Sequence, residues 1–186
     1  DYDWETYLDS FGFEPAKRER IAKATFQSPV WDERDRGLYE EDVYLKQFQE
    51  LDPEDAEDIE KVIRGTGGTI HKRPYADTWV KYLKSKGYHV YILSNYSSYM
   101  LDHTKKELTF RREMDGEVFS CYAKLLKPDA EIYQIILNKY QLKPEECVFI
   151  DDRSENCRGA QEQGIHTICF KDFKQVTADL EKLGVK

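Results

Sequence analysis

The chain of 186 residues has no apolar run near the roughly 18–20 residues that cross a bilayer, so no membrane-spanning helix is expected. Its four cysteines, Cys121, Cys147, Cys157 and Cys169, form no Cys-x-x-Cys pair, and its four histidines show no ligand spacing. Neither a zinc site nor a disulfide framework is indicated, which suits a reducing, cytoplasmic setting. Cys147 and Cys169 lie in apolar runs and are expected as buried core thiols. The glycine cluster Gly65-Thr66-Gly67-Gly68 has no strand before it and no Lys-Ser/Thr after it, so it is not a phosphate-cradling loop. It is expected as a linker or hinge.

What the chain does have is aromatic mass and acid. Thirteen Tyr, nine Phe and three Trp can build a sizeable core, which excludes wholesale disorder. The net charge of −8 argues against nucleic acid or an anionic membrane as partner. The charge is uneven: residues 32–60 carry 13 Asp and Glu against 3 Lys and Arg, and the remainder is close to neutral. Those carboxylates are expected on a solvated helical face.

Residues 4–64 read as helices throughout. Trp4, Tyr7, Leu8 and Phe11 recur at helical spacing, as do Val43, Leu45 and Phe48, and then Ile59, Val62 and Ile63. Asp52-Pro53 is expected to open a helix, with Asp52 as its N-cap. Beyond the glycines the pattern alternates: a helix over 74–86, a strand over 88–93, a helix over 98–108 and a short extended piece at Val118-Phe119. A helix over 128–140, a strand at 147–150, a helix over 155–163, a strand at 165–170 and a helix over 173–183 complete it. Strands alternating with helices predict an α/β fold, a parallel sheet with helices on both faces.

In such sheets the working residues stand at the carboxyl ends of strands. Ser94 and Asn95 follow one apolar run, and Asp151 and Asp152 follow another. Two adjacent carboxylates repel unless a cation lies near, and hard oxygen ligands suit Mg²⁺. A hydroxyl and backbone N–H groups between strand and helix suit phosphate, although ordinary helix capping needs the same residues. Lys127 precedes a proline and is held extended, which can aim its ammonium at a fixed point. Together these are the parts of phosphoryl transfer: hydrogen-bond donors, a cation and a divalent metal around developing negative charge. A response-regulator receiver combines similar residues, but its acid pair comes first in the chain and here it comes last.

The same stretches resemble motifs of the haloacid dehalogenase-like hydrolase superfamily. Val90-Tyr-Ile-Leu-Ser-Asn95 resembles its second motif and Lys127-Pro-Asp-Ala-Glu-Ile-Tyr133 its third. Val148-Phe-Ile-Asp-Asp152, followed by Asn156, Gly159 and Ala160, resembles its fourth. The resemblance covers residues 74–170 closely. It implies a Rossmann-like core with an inserted four-helix-type cap, the cap over 4–68 and the core over 69–186. It implies that Ser94 and Asn95 hold a transferring phosphoryl group, that Lys127 neutralises nucleophile and phosphate, and that Asp152 binds Mg²⁺ with Asp151 assisting. Trp31, Arg34 and Tyr39 are cap candidates for substrate contact.

Two departures matter. Lys124 stands where relatives often have glycine. The first motif, an Asp nucleophile ending the first strand, is not found. Asp1-Tyr2-Asp3 imitates it, but no apolar strand precedes Asp1. The expectation is a further strand upstream that carries the nucleophile and lies between the strands ending at Ser94 and Asp151. The expected activity is a Mg²⁺-dependent phosphatase acting, as monomer or homodimer, on a small phosphomonoester such as a sugar phosphate. A metal-independent 2-haloacid dehalogenase and a non-catalytic binding module are the alternatives.

Overall fold

The computed structural model describes residues 2–185, so Asp1 of the Asp1-Tyr2-Asp3 stretch lies outside the described residues. Asp3 is an N-cap: its carboxylate accepts the Thr6 N–H at 3.0 Å and starts α1 (Trp4–Asp9). Pro15 opens α2 (Pro15–Ala24) and Pro29 opens α3 (Pro29–Arg36), where a missing N–H costs nothing. Gly37, at φ 71°, closes α3 in the left-handed conformation and donates its N–H to Glu33 O.

α4 (Glu41–Leu51) and α5 (Ala56–Arg64) complete the helical layer. Asp52 does not cap a helix with its side chain. Pro53–Asp55 forms a 3₁₀ turn first, and α5 starts only at Ala56. The helices share one core in which Leu8, Ile21, Phe48, Ile59, Val62 and Ile63 are fully buried. Each such side chain contributes about 1.5–3 kcal/mol.

The glycine cluster is not the expected linker. It folds as a 3₁₀ turn, Thr66–Thr69, with both threonines fully buried. A Cβ on Gly65 would strike the Tyr7 hydroxyl, and one on Gly67 would lie 3.2 Å from His103 Cβ. The glycines are there because the backbone is close-packed on both sides.

The remainder alternates as expected, with shorter elements: α6 (Ala76–Ser85), β1 (Tyr91–Ser94), α7 (Ser98–His103), β2 (Gly116–Phe119), α8 (Ser120–Ala123), α9 (Ala130–Lys139), β3 (Val148–Asp151), α10 (Ser154–Glu162), β4 (His166–Cys169) and α11 (Phe173–Lys182). The helix expected over 98–108 stops at His103. There the Thr104 hydroxyl bonds Met100 O at 2.6 Å and meets the Tyr96 hydroxyl at 2.8 Å, competing with the helical ladder. The helix expected from Pro128 begins at Ala130, and the Lys127–Pro128 peptide bond is cis.

Strands pair in parallel, β1 with β2 and β3 with β4. Among the described residues these are two separate pairs rather than one sheet, and β1 and β3 each keep one edge without a strand partner. Successive residues point to opposite faces. Tyr91, Leu93 and Phe149 pack on the cluster built by α9 and α10, and Ile92 packs with Leu101 and Phe119. Val148 and Ile150 pack with Trp79, Val176 and Leu180 from α6 and α11. Both faces of the strands are therefore covered by helices, the α/β arrangement read from the sequence. The same alternation corrects the cysteines. Ile168 of β4 points inward, so Cys169 is exposed and Cys147 only half-buried, and the buried thiols are Cys121 and Cys157.

Candidate active site

Ser94 is the last residue of β1 and Asp151 the last of β3, and the fold brings Lys127 to both strand ends. The Lys127 ammonium donates to Asp151 Oδ2 at 2.6 Å and to Leu93 O at 3.1 Å, and lies 5.4 Å from the Phe149 ring centre. Both members of this ion pair are about nine-tenths buried. Asp151 is held from the other side as well: its Oδ1 accepts the Arg153 N–H and the Asn156 Nδ2–H, each at 2.9 Å. A buried pair with this many donors is fixed in direction, which positions the ammonium.

Asn95 differs from expectation. Its Nδ2 donates to Lys127 O at 3.0 Å and its Oδ1 accepts the Lys127 N–H at 2.8 Å. The carboxamide is spent on a two-point clamp of the Lys127 backbone. The Ser94 hydroxyl, half-buried, makes only a 3.4 Å contact with Asn95 O and remains able to donate.

Gly159 sets the other wall. A Cβ there would come 2.5 Å from Pro128 O and 3.1 Å from Tyr133 Cε2. Only glycine allows α10 to lie this close to the Lys127-Pro128 segment. Tyr133 donates its hydroxyl to Asn156 O at 2.7 Å, tying α9 to α10. Burial, with Asp151 nearby, pushes its phenol well above the usual range.

Asp152 is exposed, and its carboxylate has no ion-pair or hydrogen-bond partner among the described residues. The Asn156 Oδ1 is buried and likewise unpartnered. No cluster of three His, Cys, Asp or Glu side chains stands among the described residues. One free carboxylate at a strand end nevertheless fits Mg²⁺, which commonly takes one or two protein carboxylates and completes its shell with water and substrate phosphate.

The cap candidates do not converge on these residues. Trp31 packs inside the helical core, 4.9 Å from the Phe26 ring. Arg34 is 1% exposed: Glu41 takes its Nε at 3.1 Å and Nη2 at 2.6 Å, and the Trp31 and Tyr99 rings flank it at 5.1 Å. Its Nη1 has no partner. Tyr39 is exposed and packs on Tyr44.

Asp35, which the sequence did not single out, also reaches the core. Its backbone carbonyl accepts the Ser120 hydroxyl at 2.6 Å, and its carboxylate lies near the Ser97 N–H. Burial pushes its carboxyl up to about 7, Asp32 adds to the shift, and Arg34, the Ser97 N–H and Lys127 oppose it. The next turn is anchored too, as Gly37 packs on Cys121 and its carbonyl takes the Lys124 ammonium. The signal was present in the spacing of Asp32 and Asp35, three apart on the face of α3 next to the one that carries Trp31 and Arg34. Asp35 is an exception to the solvent-facing acidic segment. Most of the other carboxylates do face solvent or pair with a base, such as Asp55 with Lys17 and Arg20.

The family model described as haloacid dehalogenase-like hydrolase matches residues 7–164. The chain belongs to the haloacid dehalogenase-like hydrolases. It is 30% identical over 107 residues to bifunctional epoxide hydrolase 2 of Rattus norvegicus, covering 54% of this chain and 19% of that one. It is 26% identical over 157 residues to the sesquiterpene phosphatase astK of Aspergillus oryzae, covering 84% and 80%. A haloacid dehalogenase family enzyme from Bacteroides thetaiotaomicron, solved with magnesium and inorganic phosphate, superposes with a TM-score of 0.71 at 21% identity, covering 95% of this chain and 92% of that one. The chain thus spans about a fifth of the length of the epoxide hydrolase. Among the described residues no helix is long and apolar enough to cross a membrane.

Proposed function

We propose that this hydrolase is a Mg²⁺-dependent phosphatase of small phosphomonoesters, a sugar phosphate among them, working in the cytoplasm. The observation that carries the reading is the buried Lys127–Asp151 pair beside the free Asp152 carboxylate, with the Ser94 hydroxyl at the neighbouring strand end. The relative named as a phosphatase and the structural neighbour solved with magnesium and phosphate support it.

The Ser94 hydroxyl and the Asn95 backbone N–H donate to phosphoryl oxygens. Lys127 neutralises the phosphoryl group and the attacking carboxylate, and Asn95 and Asp151 hold Lys127 to that position. Asp152 would hold Mg²⁺, which when bound supplies positive charge against the developing negative charge on phosphate. The attacking carboxylate is an Asp upstream of this sequence, on a strand that pairs with the open edges of β1 and β3. It forms an aspartyl-phosphate that water hydrolyses. The half-buried apolar residues of β1 and β3 support such a strand. Residues 4–68 form the cap and 69–186 the core, with Asp35 the cap's contribution at the junction.

The test is hydrolysis of p-nitrophenyl phosphate by the whole protein with Mg²⁺. Turnover that EDTA abolishes is expected. Asp152→Asn should cost about 10²-fold or more in rate, while its exposed position keeps the stability change within about 0.5 kcal/mol. Dehalogenation of a 2-haloacid that survives EDTA would instead establish the dehalogenase, and no turnover on a broad phosphate panel would establish a binding module.

A further inference from the structure

Two of the four thiols lie against the backbone of the acid pair. Cys157 lies in the first turns of α10 and is buried, while Cys169 ends β4 and is exposed. Cys157 packs on β4 at Ile168, the residue immediately before Cys169. Both also touch the backbone of the candidate site. The Cys157 thiol donates to Asp151 O at 3.4 Å and lies 3.7 Å from Ile168 O, and the Cys169 thiol donates to Asp152 O at 3.7 Å. Asp151 and Cys169 are register partners across β3 and β4, so the pair spans the end of that ladder. The remaining thiols are placed differently: Cys121 sits in the Leu101–Phe119 cluster, and Cys147 donates to Lys143 O.

Access is one-sided. Cys169 shares the wall of an open cavity of about 460 Å³ with Thr167, Lys171 and Gln175, so a small oxidant reaches it first. Cys157, close behind it and shielded, is placed as the resolving partner. An exposed thiol with a second thiol poised beside it is the arrangement of reversible cysteine oxidation, and in a reducing compartment such a bond is transient rather than structural.

We propose that Cys157 and Cys169 form a reversible disulfide under peroxide, a modification site that couples the oxidation state of the protein to the Asp151-Asp152 segment. The coupling to catalysis rests on the phosphatase reading above, whereas the disulfide itself does not. The Cys169 thiolate attacks a peroxide oxygen, the O–O bond breaks, and Cys169 becomes a sulfenic acid as the other oxygen leaves as water or alcohol. The Cys157 sulfur then attacks the Cys169 sulfur, the S–O bond breaks, and hydroxide leaves with the Cys157 proton as water. Two electrons pass from the thiol pair to one peroxide. The bond removes both S–H donors from the Asp151 and Asp152 carbonyls and ties the start of α10 to the end of β4, on either side of the loop that carries Asp152.

The experiment treats the whole protein with hydrogen peroxide, blocks free thiols and maps its peptides by mass. A Cys157–Cys169 linked peptide is expected, with the loss of two free thiols and full reversal by dithiothreitol. Cys169→Ser and Cys157→Ser should each abolish the link, and Cys121→Ser should leave it. Cys169 driven to sulfinic or sulfonic acid with no linked peptide would overturn the proposal. For the coupling, Mg²⁺ affinity by calorimetry and p-nitrophenyl phosphate turnover are compared between reduced and oxidised protein. Each is expected to fall about 10-fold on oxidation, the usual scale for disturbing groups that support a metal site, with Cys169→Ser insensitive. A linked protein unchanged in both measurements would refute the coupling. A reduced protein without any phosphatase turnover would refute the phosphatase reading alone, with the disulfide still decided by mass.

Discussion

Replacing Gly159 with alanine sets two opposed effects against each other, and the structure decides which wins. Gly159 lies inside α10, where alanine is favoured over glycine by about 1 kcal/mol. Against that, the new Cβ would stand 2.5 Å from Pro128 O, about 0.9 Å inside the 3.4 Å at which ordinary contact begins. Pro128 Cβ at 3.0 Å and Tyr133 Cε2 at 3.1 Å block escape sideways, and the Pro128 oxygen is backbone, which cannot rotate away. Overpacking of this kind costs about 1–3 kcal/mol, and with a backbone oxygen as the obstacle the upper part of that range applies. The net expectation is a loss of about 1–2 kcal/mol, or roughly 2–8 °C in Tm for a chain of this size. Relief comes from moving α10 away from Pro128, which carries the Lys127 ammonium off Asp151. A misplacement near 1 Å can cost about 10²-fold in turnover. Thermal melts and kcat/KM on p-nitrophenyl phosphate measure both. A Gly159→Ala protein that melts higher than the parent and turns over unchanged would refute the argument that this close approach positions Lys127.

Asp151→Asn leaves the buried Lys127 ammonium with only Leu93 O and the Phe149 ring, so a loss of about 3–5 kcal/mol in denaturant-monitored stability is expected; a loss below 1 kcal/mol would show that the pair is not a buried ion pair. Lys124 sits at φ 60°, which costs a side chain about 1–2 kcal/mol. Lys124→Gly and Lys124→Ala both lose the contact to Gly37 O, but only glycine relieves the backbone. The glycine variant should therefore be the more stable by about 1 kcal/mol, and equal stabilities would contradict the left-handed assignment. Asp35 has a carboxyl raised from 3.8 to about 7, so the folded state binds the proton more tightly than the unfolded one. Its contribution is therefore largest at low pH and is lost as pH rises from about 4 to about 7. Asp35→Asn should flatten that stretch of the stability–pH profile and gain most above pH 7; an unchanged slope would place the carboxylate in solvent.

The strand-end motifs were legible because a run of apolar residues followed by polar ones marks a strand and its exit in any α/β chain. Ser94, Asn95 and Asp151 were named that way and Lys127 from its place before a proline, and the fold brings all four together. What each side chain does there was not legible. Asn95 looks like a phosphate ligand in one dimension and proves to be a clamp on Lys127, because a carboxamide has both a donor and an acceptor and the nearest backbone offering both lies 32 residues away. Asp35 escaped notice among thirteen acids because sequence gives charge but not which face meets a neighbour.

The sequence by itself determined the alternation of helices and strands and the order of the motifs, since those rest on periodicity and on residue type at chain positions. The tertiary structure alone decided burial and partnership: Cys169 outside and Cys157 inside, Arg34 locked to Glu41, Gly159 against Pro128, and a tight turn in place of a linker. The physical reason is that local propensity acts within a few residues, whereas a contact energy belongs to two groups far apart in the chain that only the packed fold places within reach.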